Sequence, residues 1–176
     1  MPILTARGAR CTVLDYTPAQ LDADRTVAER EGYDIDLVRA DMSKPLPFAD
    51  ASFDLIVHPV SNCYIEEVLP VWRILRPGGL LMSGLDNGVN FITDDDEERI
   101  VNHLPFNPLK NADQRDQLAE ADDGVQFSHT LDEQIRGQIQ AGLRIVDLYE
   151  DTNGYGRLHE LGIPSFWATL AQKPED

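Results

Sequence analysis

The chain has 176 residues and a formal net charge of −16 at pH 7, because 31 acidic residues outnumber 15 basic ones. This charge argues against a nucleic-acid partner, since phosphate binding requires clustered Lys and Arg, and no apolar run approaches the roughly 20 residues that cross a membrane. The length fits a single domain, residues 1–176, and two cysteines without a disulfide pattern favour a cytoplasmic protein.

Strands and helices are predicted to alternate along the first part of the chain, which favours an α/β fold with a mostly parallel, doubly wound sheet. Short apolar segments rich in β-branched residues predict buried parallel strands. These strands are expected at Cys11–Asp15, Ile35–Ala40 and Phe53–His58. A helix is expected to begin at Thr17-Pro18 and to end at Gly32, because a capping residue followed by proline opens helices and glycine closes them.

Apolar residues at helical spacing predict two further helices. The first, Tyr64–Leu75, is expected to end at Arg76–Gly79 and to lead into a strand at Leu80–Gly84. The second, Leu131–Ala141, is expected to end at Gly142.

The last two predicted strands, Leu143–Glu150 and Phe166–Gln172, are expected to form an antiparallel pair. The segment 86–124 is acidic and contains two prolines, so we expect an irregular insertion. Long irregular segments are often functional, which favours a lid or substrate cover, with disorder as the alternative. Its acidic run Asp94–Asp96 is not expected to bind a metal, because consecutive carboxylates point in different directions.

Two carboxylates follow predicted strands that are separated by one helix. Asp15 ends the first strand, where a carboxylate is well placed to accept bonds from two ribose hydroxyls; a turn or helix-capping role is the alternative. Asp41 follows the second strand and can accept from an adenine amine, while the N–H and side chain of Met42 face the ring. Tyr16 offers a ring edge to adenine, or is a half-exposed aromatic residue at a strand end.

An ordered set of short motifs resembles the class I S-adenosylmethionine-dependent methyltransferases, and in particular the methyltransferase type 11-like domains. The motifs are Asp41-Met42, Leu46-Pro47-Phe48, Ser52–Val57, His58–Cys63 and Leu75–Gly79. The resemblance implies a Rossmann-like fold with an antiparallel C-terminal strand, S-adenosylmethionine as cofactor and a small-molecule methyl acceptor. The residues that it assigns to the cofactor are Asp15, Tyr16, Asp41, Met42, His58 and Pro59.

The same resemblance assigns residues to the methyl acceptor. His58 is the candidate general base, because imidazole titrates near neutral pH; a histidine satisfied by the backbone at a strand end is the alternative. The residues expected to contact the acceptor are Ser61, Asn62, Tyr64 and His129.

The start of the chain departs from the family pattern. Residues 1–8 match only the end of the helix that follows the family's glycine-rich loop, so the loop and the first, central strand have no counterpart. We therefore expect an N-terminally truncated domain whose neighbouring strands close up, recruit another segment or pair with a second chain in a homodimer.

Two other functions compete with methyl transfer. One is a non-catalytic remnant or truncated fragment of a methyltransferase that self-associates through its sheet. The other is a nicotinamide-dependent enzyme, which is disfavoured because the chain lacks the Gly-x-Gly-x-x-Gly turn and contains the passage Leu46–Val57.

Overall fold

A computed structural model describes residues 2–67, 71–121 and 124–175. The chain divides into two compact units, Met1–Pro47 and Phe48–Asp176. The prediction that the chain is one domain stays a prediction.

The first unit contains helix α1 (Pro2–Thr5), strand β1 (Cys11–Asp15), helix α2 (Pro18–Glu31) and strand β2 (Ile35–Arg39). β1 and β2 pair in parallel, with Cys11 opposite Ile35 and Asp15 opposite Arg39. α2 buries Leu21 and Ala28, and it ends at Gly32, whose φ of 69° is the left-handed conformation that glycine adopts at helix ends. The predicted strands and helix of this unit are confirmed.

The second unit is built on a four-stranded mixed sheet. Its strands are β3 (Phe53–Pro59), β4 (Leu75–Asp86), β5 (Arg144–Asp151) and β6 (Phe166–Gln172). Their order in the sheet is β3-β4-β6-β5; β3 and β4 are parallel, and β6 is antiparallel to both of its neighbours. The predicted α/β class and the antiparallel C-terminal pair are confirmed.

Short helices connect these strands. They are α3 (Val89–Ile92), α4 (Ala112–Ala121), a π-helical turn (Asp132–Arg136) that continues into α5 (Gly137–Gln140), and α6 (Gly156–Glu160). The predicted helix at Leu131–Ala141 is therefore present. The segment 86–124 is less irregular than expected, because α3 and α4 lie within it; residues 122 and 123 are outside the described residues.

The helix predicted over Tyr64–Leu75 is wrong where the structure describes it. A 3₁₀-helix ends at Tyr64, a second covers Val71–Arg73, and Leu75 already belongs to β4; residues 68–70 lie outside the described residues. The carbonyl of Ile74 accepts the N–H groups of Ser52 at 2.8 Å and Phe53 at 3.0 Å. The carbonyl of Ile74 therefore bonds to the backbone at the start of β3 and does not accept a helical hydrogen bond.

The Pro-Gly-Gly sequence also differs from its predicted role as a turn before the strand. Leu75 lies opposite Phe53 and Leu80 lies opposite Leu55, so residues 76–79 form a bulge inside β4. Buried Leu75 has an exposed fraction of 0%. Its side chain anchors the start of the strand, which explains why β4 begins five residues earlier than the apolar pattern indicated.

The core of the second unit lies against β4 and β6. Leu75, Leu81, Leu143 and Ala171 form a buried cluster, and three half-buried residues pack on it. These three are Ile56, Val71 and Ile145. Truncating a buried leucine of this kind to alanine typically costs about 2–5 kcal/mol, so the cluster fixes the sheet on which the site residues stand.

Within the described residues, no helix is long and apolar enough to span a membrane.

Candidate functional site

The first unit places both predicted nucleoside-binding carboxylates at one edge of its strand pair. β1 ends at Asp15, opposite Arg39 near the end of β2, and the N–H of Ala40 donates to the carbonyl of Asp15 at 3.1 Å. Asp41 follows immediately. Because the strands are parallel, the two residues lie at the same carboxyl edge, where open α/β sheets bind ligands.

The Asp15 side chain shapes the turn that starts α2. Its Oδ1 accepts the N–H of Thr17 at 2.7 Å and the Thr17 hydroxyl at 2.8 Å. Asp15 therefore stabilises a turn, which was the alternative to ribose binding in the sequence analysis. Both bonds use the same oxygen, and a carboxylate has about four acceptor positions, so the group keeps acceptor capacity for ribose hydroxyls.

Asp41 forms a similar local turn. Its Oδ1 accepts the N–H of Ser43 at 2.8 Å, and the bonds from Ser43 hold the pKa of Asp41 below its usual range. Asp41 is therefore ionised at neutral pH and acts as an acceptor. Met42 beside it is half-buried.

Tyr16 extends from this edge with 63% of its surface exposed. The Arg39 guanidinium lies 5.9 Å from the centre of the ring, and Arg39 Nε donates to the Tyr16 carbonyl at 3.1 Å. Arg39 thus fixes the chain that follows β1. Sequence reasoning missed this residue, although its place opposite Asp15 follows from the parallel register.

The second unit contains a cleft of about 930 Å³ at the carboxyl ends of β3 and β4. Three of the predicted site residues line it: Pro59, Ser61 and Tyr64. Three others, His58, Asn62 and His129, are not among the described residues that line it. The volume suits a small molecule, since such sites usually measure about 300–1,000 Å³.

A sharp turn after β3 brings Ser61 and Tyr64 to the cleft. Val60 has a φ of 54°, which is unusual for a β-branched residue, and its N–H donates to the carbonyl of Gly84 at 2.9 Å. A Cβ on Gly84 would lie 3.0 Å from Val60 Cγ2. The strained turn and the close approach at Gly84 are features that sequence reasoning missed.

The segment predicted as a lid also contributes to the lining of the cleft. Asn90, Phe91, the acidic run Asp94–Asp96 and Phe106 all line it. The rings of Phe91 and Phe106 stack with their centroids 5.1 Å apart. The position agrees with a substrate cover, and a lid movement stays a prediction.

Asp86, at the end of β4, is the main residue of the cleft that sequence reasoning did not select. It is 8% exposed, its Oδ1 accepts the N–H of Gly88 at 2.6 Å, and its Oδ2 accepts from Asn90 Nδ2 at 2.8 Å. Burial raises the pKa of the carboxyl group. The signal that identified Asp15, an acid at the end of a parallel strand, was available here as well.

A buried polar network joins the elements around the cleft. Gln134, 3% exposed, donates through Nε2 to the carbonyl oxygens of Asp86 at 2.8 Å and His129 at 2.9 Å, and its Oε1 accepts from Asn62 Nδ2 at 3.0 Å. His129 Nε2 lies 2.9 Å from the Asn62 carbonyl oxygen. Asn62 and His129 thus hold the walls together, and their predicted contact with an acceptor stays a prediction.

His58 lies within β3, opposite Ser83. Burial lowers the pKa of its imidazole, so the ring is neutral at neutral pH. A neutral imidazole is the form that accepts a proton, but a catalytic role for His58 stays a prediction. Burial raises the pKa of the nearby Cys63 thiol to about 11, which makes it an unreactive buried group.

Comparisons with known proteins agree with this arrangement. Residues 1–83 match the family model described as a methyltransferase domain. The chain is 39% identical over 165 residues to the uncharacterized methyltransferase YbaJ of Bacillus subtilis (strain 168), an alignment that covers 88% of this chain and 65% of that protein. The chain thus spans just under two thirds of that relative's length.

Solved structures of two methyltransferases have a similar fold. An S-adenosylmethionine-dependent methyltransferase from Mesorhizobium loti has a TM-score of 0.71 and 20% identity, covering 93% of this chain and 80% of that one. One from Methanosarcina mazei has a TM-score of 0.64 and 16% identity, covering 99% and 87%. At these identities the two structures show a shared fold and nothing more specific.

Proposed function

We propose that the chain transfers a methyl group from S-adenosylmethionine to a small molecule, as its similarity in sequence and fold to the class I S-adenosylmethionine-dependent methyltransferases supports. The observation that carries the proposal is the shared carboxyl edge of Asp15 and Asp41 on the parallel pair β1 and β2. One βαβ step separates the two carboxylates, and each keeps acceptor capacity beyond its local turn.

The residues at this edge fit the nucleoside part of the cofactor. Asp15 would accept from the ribose hydroxyls, and Asp41, held ionised by Ser43, would accept from the adenine amine. Tyr16 and Met42 supply an aromatic and a thioether surface for the base. His58 and Pro59, at the end of β3, are proposed as further cofactor contacts.

The cleft of the second unit is proposed to hold the methyl acceptor. Ser61 and Tyr64 offer hydroxyl groups, and the stacked Phe91 and Phe106 offer an apolar wall. The acidic segment covers one side, which would exclude water from the acceptor.

When bound, S-adenosylmethionine supplies an electrophilic methyl group on a positively charged sulfur. The chain's own residues then have to orient the acceptor and keep water away, because a displacement of this kind depends mostly on positioning. His58, neutral at physiological pH, is the proposed general base, and it lies one residue before Pro59, which lines the cleft.

Calorimetric titration with S-adenosylmethionine tests the proposal. We expect binding by the wild-type chain and an affinity at least about tenfold lower in Asp15→Asn and in Asp41→Asn, because each loses a charge-assisted hydrogen bond. Asp36→Asn is the matched control, since Asp36 is exposed on β2 and the substitution makes the same charge change. Equal affinity in all four proteins would show that the two carboxylates do not hold the nucleoside.

Limited proteolysis tests the proposed cover. With saturating S-adenosylmethionine and a bound acceptor, we expect slower cleavage within residues 86–121, because ordered segments resist proteases. Cleavage at an unchanged rate under full occupancy would contradict a closing movement and would leave the cofactor assignment intact.

A further inference from the structure

We propose that the cleft of the second unit binds a small molecule that carries a protonated amine, and that this charge is received by the Asp86 carboxylate. As an identification of the methyl acceptor, this inference rests on the proposed function. As a statement about what the cleft binds, it depends only on the residues that line the cleft.

Asp86 is a buried carboxylate that lines the cleft and is hydrogen-bonded only to uncharged donors among the described residues. The N–H of Gly88 and the amide of Asn90 each occupy one acceptor position. About two of its four acceptor positions therefore remain. A buried carboxylate to which no cation is hydrogen-bonded among the described residues is costly, and a ligand ammonium group would reduce that cost while forming a charge-assisted hydrogen bond.

The other charged residues among the described lining are acidic as well. Asp95 and Asp96 are exposed at the rim, and no Lys, Arg or His is among the described residues that line the cleft. Asp94 also lines it, but its Oδ1 already accepts the N–H groups of Glu98 and Arg99. A cleft whose charged side chains are all negative attracts cations and repels carboxylates and phosphates.

Aromatic rings add a second reason to expect an organic cation rather than a metal ion. Phe91 and Phe106 are stacked in the lining, and Tyr64 and Phe166 also contribute to it. Ring faces attract ammonium groups and pack against the apolar part of the same molecule. A hydrated metal ion would gain nothing from these rings.

Three probes of almost equal shape test the charge preference. They are 2-phenylethylamine, 2-phenylethanol and phenylacetate, which are cationic, neutral and anionic at neutral pH. Ligand-observed NMR titrations of the full chain at about 0.15 M salt, where long-range attraction is screened beyond about 8 Å, give the three dissociation constants. We expect the amine to bind at least about tenfold more tightly than the alcohol, and phenylacetate to bind most weakly.

Variants separate the cleft from the general negative charge of the chain. Asp86→Asn should bring the amine within about threefold of the alcohol, because it removes the charge and keeps the shape. Asp36→Asn makes the same change in net charge on β2 and should leave the preference unchanged. Should Asp86→Asn fail to fold by circular dichroism, the double variant Asp95→Asn, Asp96→Asn at the exposed rim should still reduce the preference.

Each outcome decides the inference. Equal binding of the three probes by the wild type, or an equal loss of the preference in Asp36→Asn, would overturn it. An amine preference that survives both Asp86→Asn and the rim variant would also overturn it. If the amine preference depends on Asp86 but S-adenosylmethionine does not bind, the proposed function fails and the cleft inference stands. If S-adenosylmethionine binds but the amine is not preferred, the cleft inference fails and the proposed function stands.

Discussion

The two regions that carry proposed ligands differ in how far along the chain their contacts reach. Asp15 and Asp41 bond to residues two positions away, Thr17 and Ser43. In the second unit, Asn62 bonds to Gln134 across 72 positions. The carboxyl edge that carries Asp15 and Asp41 is therefore shaped by local turns, whereas the cleft depends on the tertiary fold of its unit.

This difference predicts how each region responds to substitution. Side chains at the exposed edge can be replaced with little effect on stability, since they support only a local turn. The buried network cannot lose a member without leaving polar groups unpaired. A variant in the first region should lose ligand binding alone, and a variant in the buried network of the second should lose stability as well.

The largest effect is expected for Gln134→Leu. It removes three hydrogen bonds and leaves Asn62 Nδ2 and the carbonyl groups of Asp86 and His129 unpaired. At about 1–3 kcal/mol for each unpaired group, offset by the added apolar surface, the free energy of unfolding should fall by about 4 kcal/mol. Urea denaturation measures this loss.

Gln140→Leu is the matched control, because Gln140 is exposed at the end of α5. It should change the free energy of unfolding by less than about 0.5 kcal/mol. Similar small losses in both variants would show that the network does not hold the cleft together.

A smaller effect is expected at Gly156, where the acidic segment contacts the loop after β5. Glu97 Oε2 accepts the N–H of Leu158 at 2.6 Å, and a Cβ on Gly156 would lie 2.6 Å from the same oxygen. Gly156→Ala should therefore displace the carboxylate and also strain a backbone with a φ of +83°. We expect a loss of about 2 kcal/mol in the free energy of unfolding.

Gly162→Ala separates the two causes. Gly162 has a φ of +66°, and an added Cβ there would meet nothing within 4 Å. This variant should lose only the backbone contribution, about 1 kcal/mol. In a Glu97→Ala background the two glycine variants should become equal, and a difference that persists there would rule out the clash with Glu97.

The sequence was sufficient for features that depend on neighbours in the chain. The strand–helix–strand order up to Arg39, the end of α2 at Gly32 and the shared edge of Asp15 and Asp41 all follow from local patterns. The family resemblance agrees with the match of residues 1–83 to a methyltransferase domain for the same reason, because its motifs are short and lie in order there.

What the sequence did not predict depends on distant partners. Residues around Leu75 have helical spacing, but pairing with Phe53 draws them into β4. In the sequence, Gln134 is one polar residue of a predicted helix. Only the fold brings its side chain to Asn62 and to the carbonyl of Asp86. Asp86 could have been found, since it ends a parallel strand as Asp15 does.

The smallest effects are expected from pH, where one carboxylate in each region shifts in the opposite direction. Burial raises the pKa of Asp86 above its ordinary value of 3.8. Between 3.8 and the raised value the folded chain binds more protons at Asp86 than the unfolded chain does, so its contribution to stability falls as pH rises through that range. Asp86→Asn should remove this slope.

Asp41 should show the reverse behaviour. Bonds from Ser43 lower its pKa below 3.8, so its contribution is fully present above 3.8 and is lost as pH falls through the lowered value. Titration of the side-chain carboxyl ¹³C shifts by NMR measures both groups in one sample. If Asp86 and Asp41 titrate on the same side of the ordinary value of 3.8, the contrast between an exposed turn and a buried cleft is wrong, since desolvation and local hydrogen bonding act on a carboxylate in opposite directions.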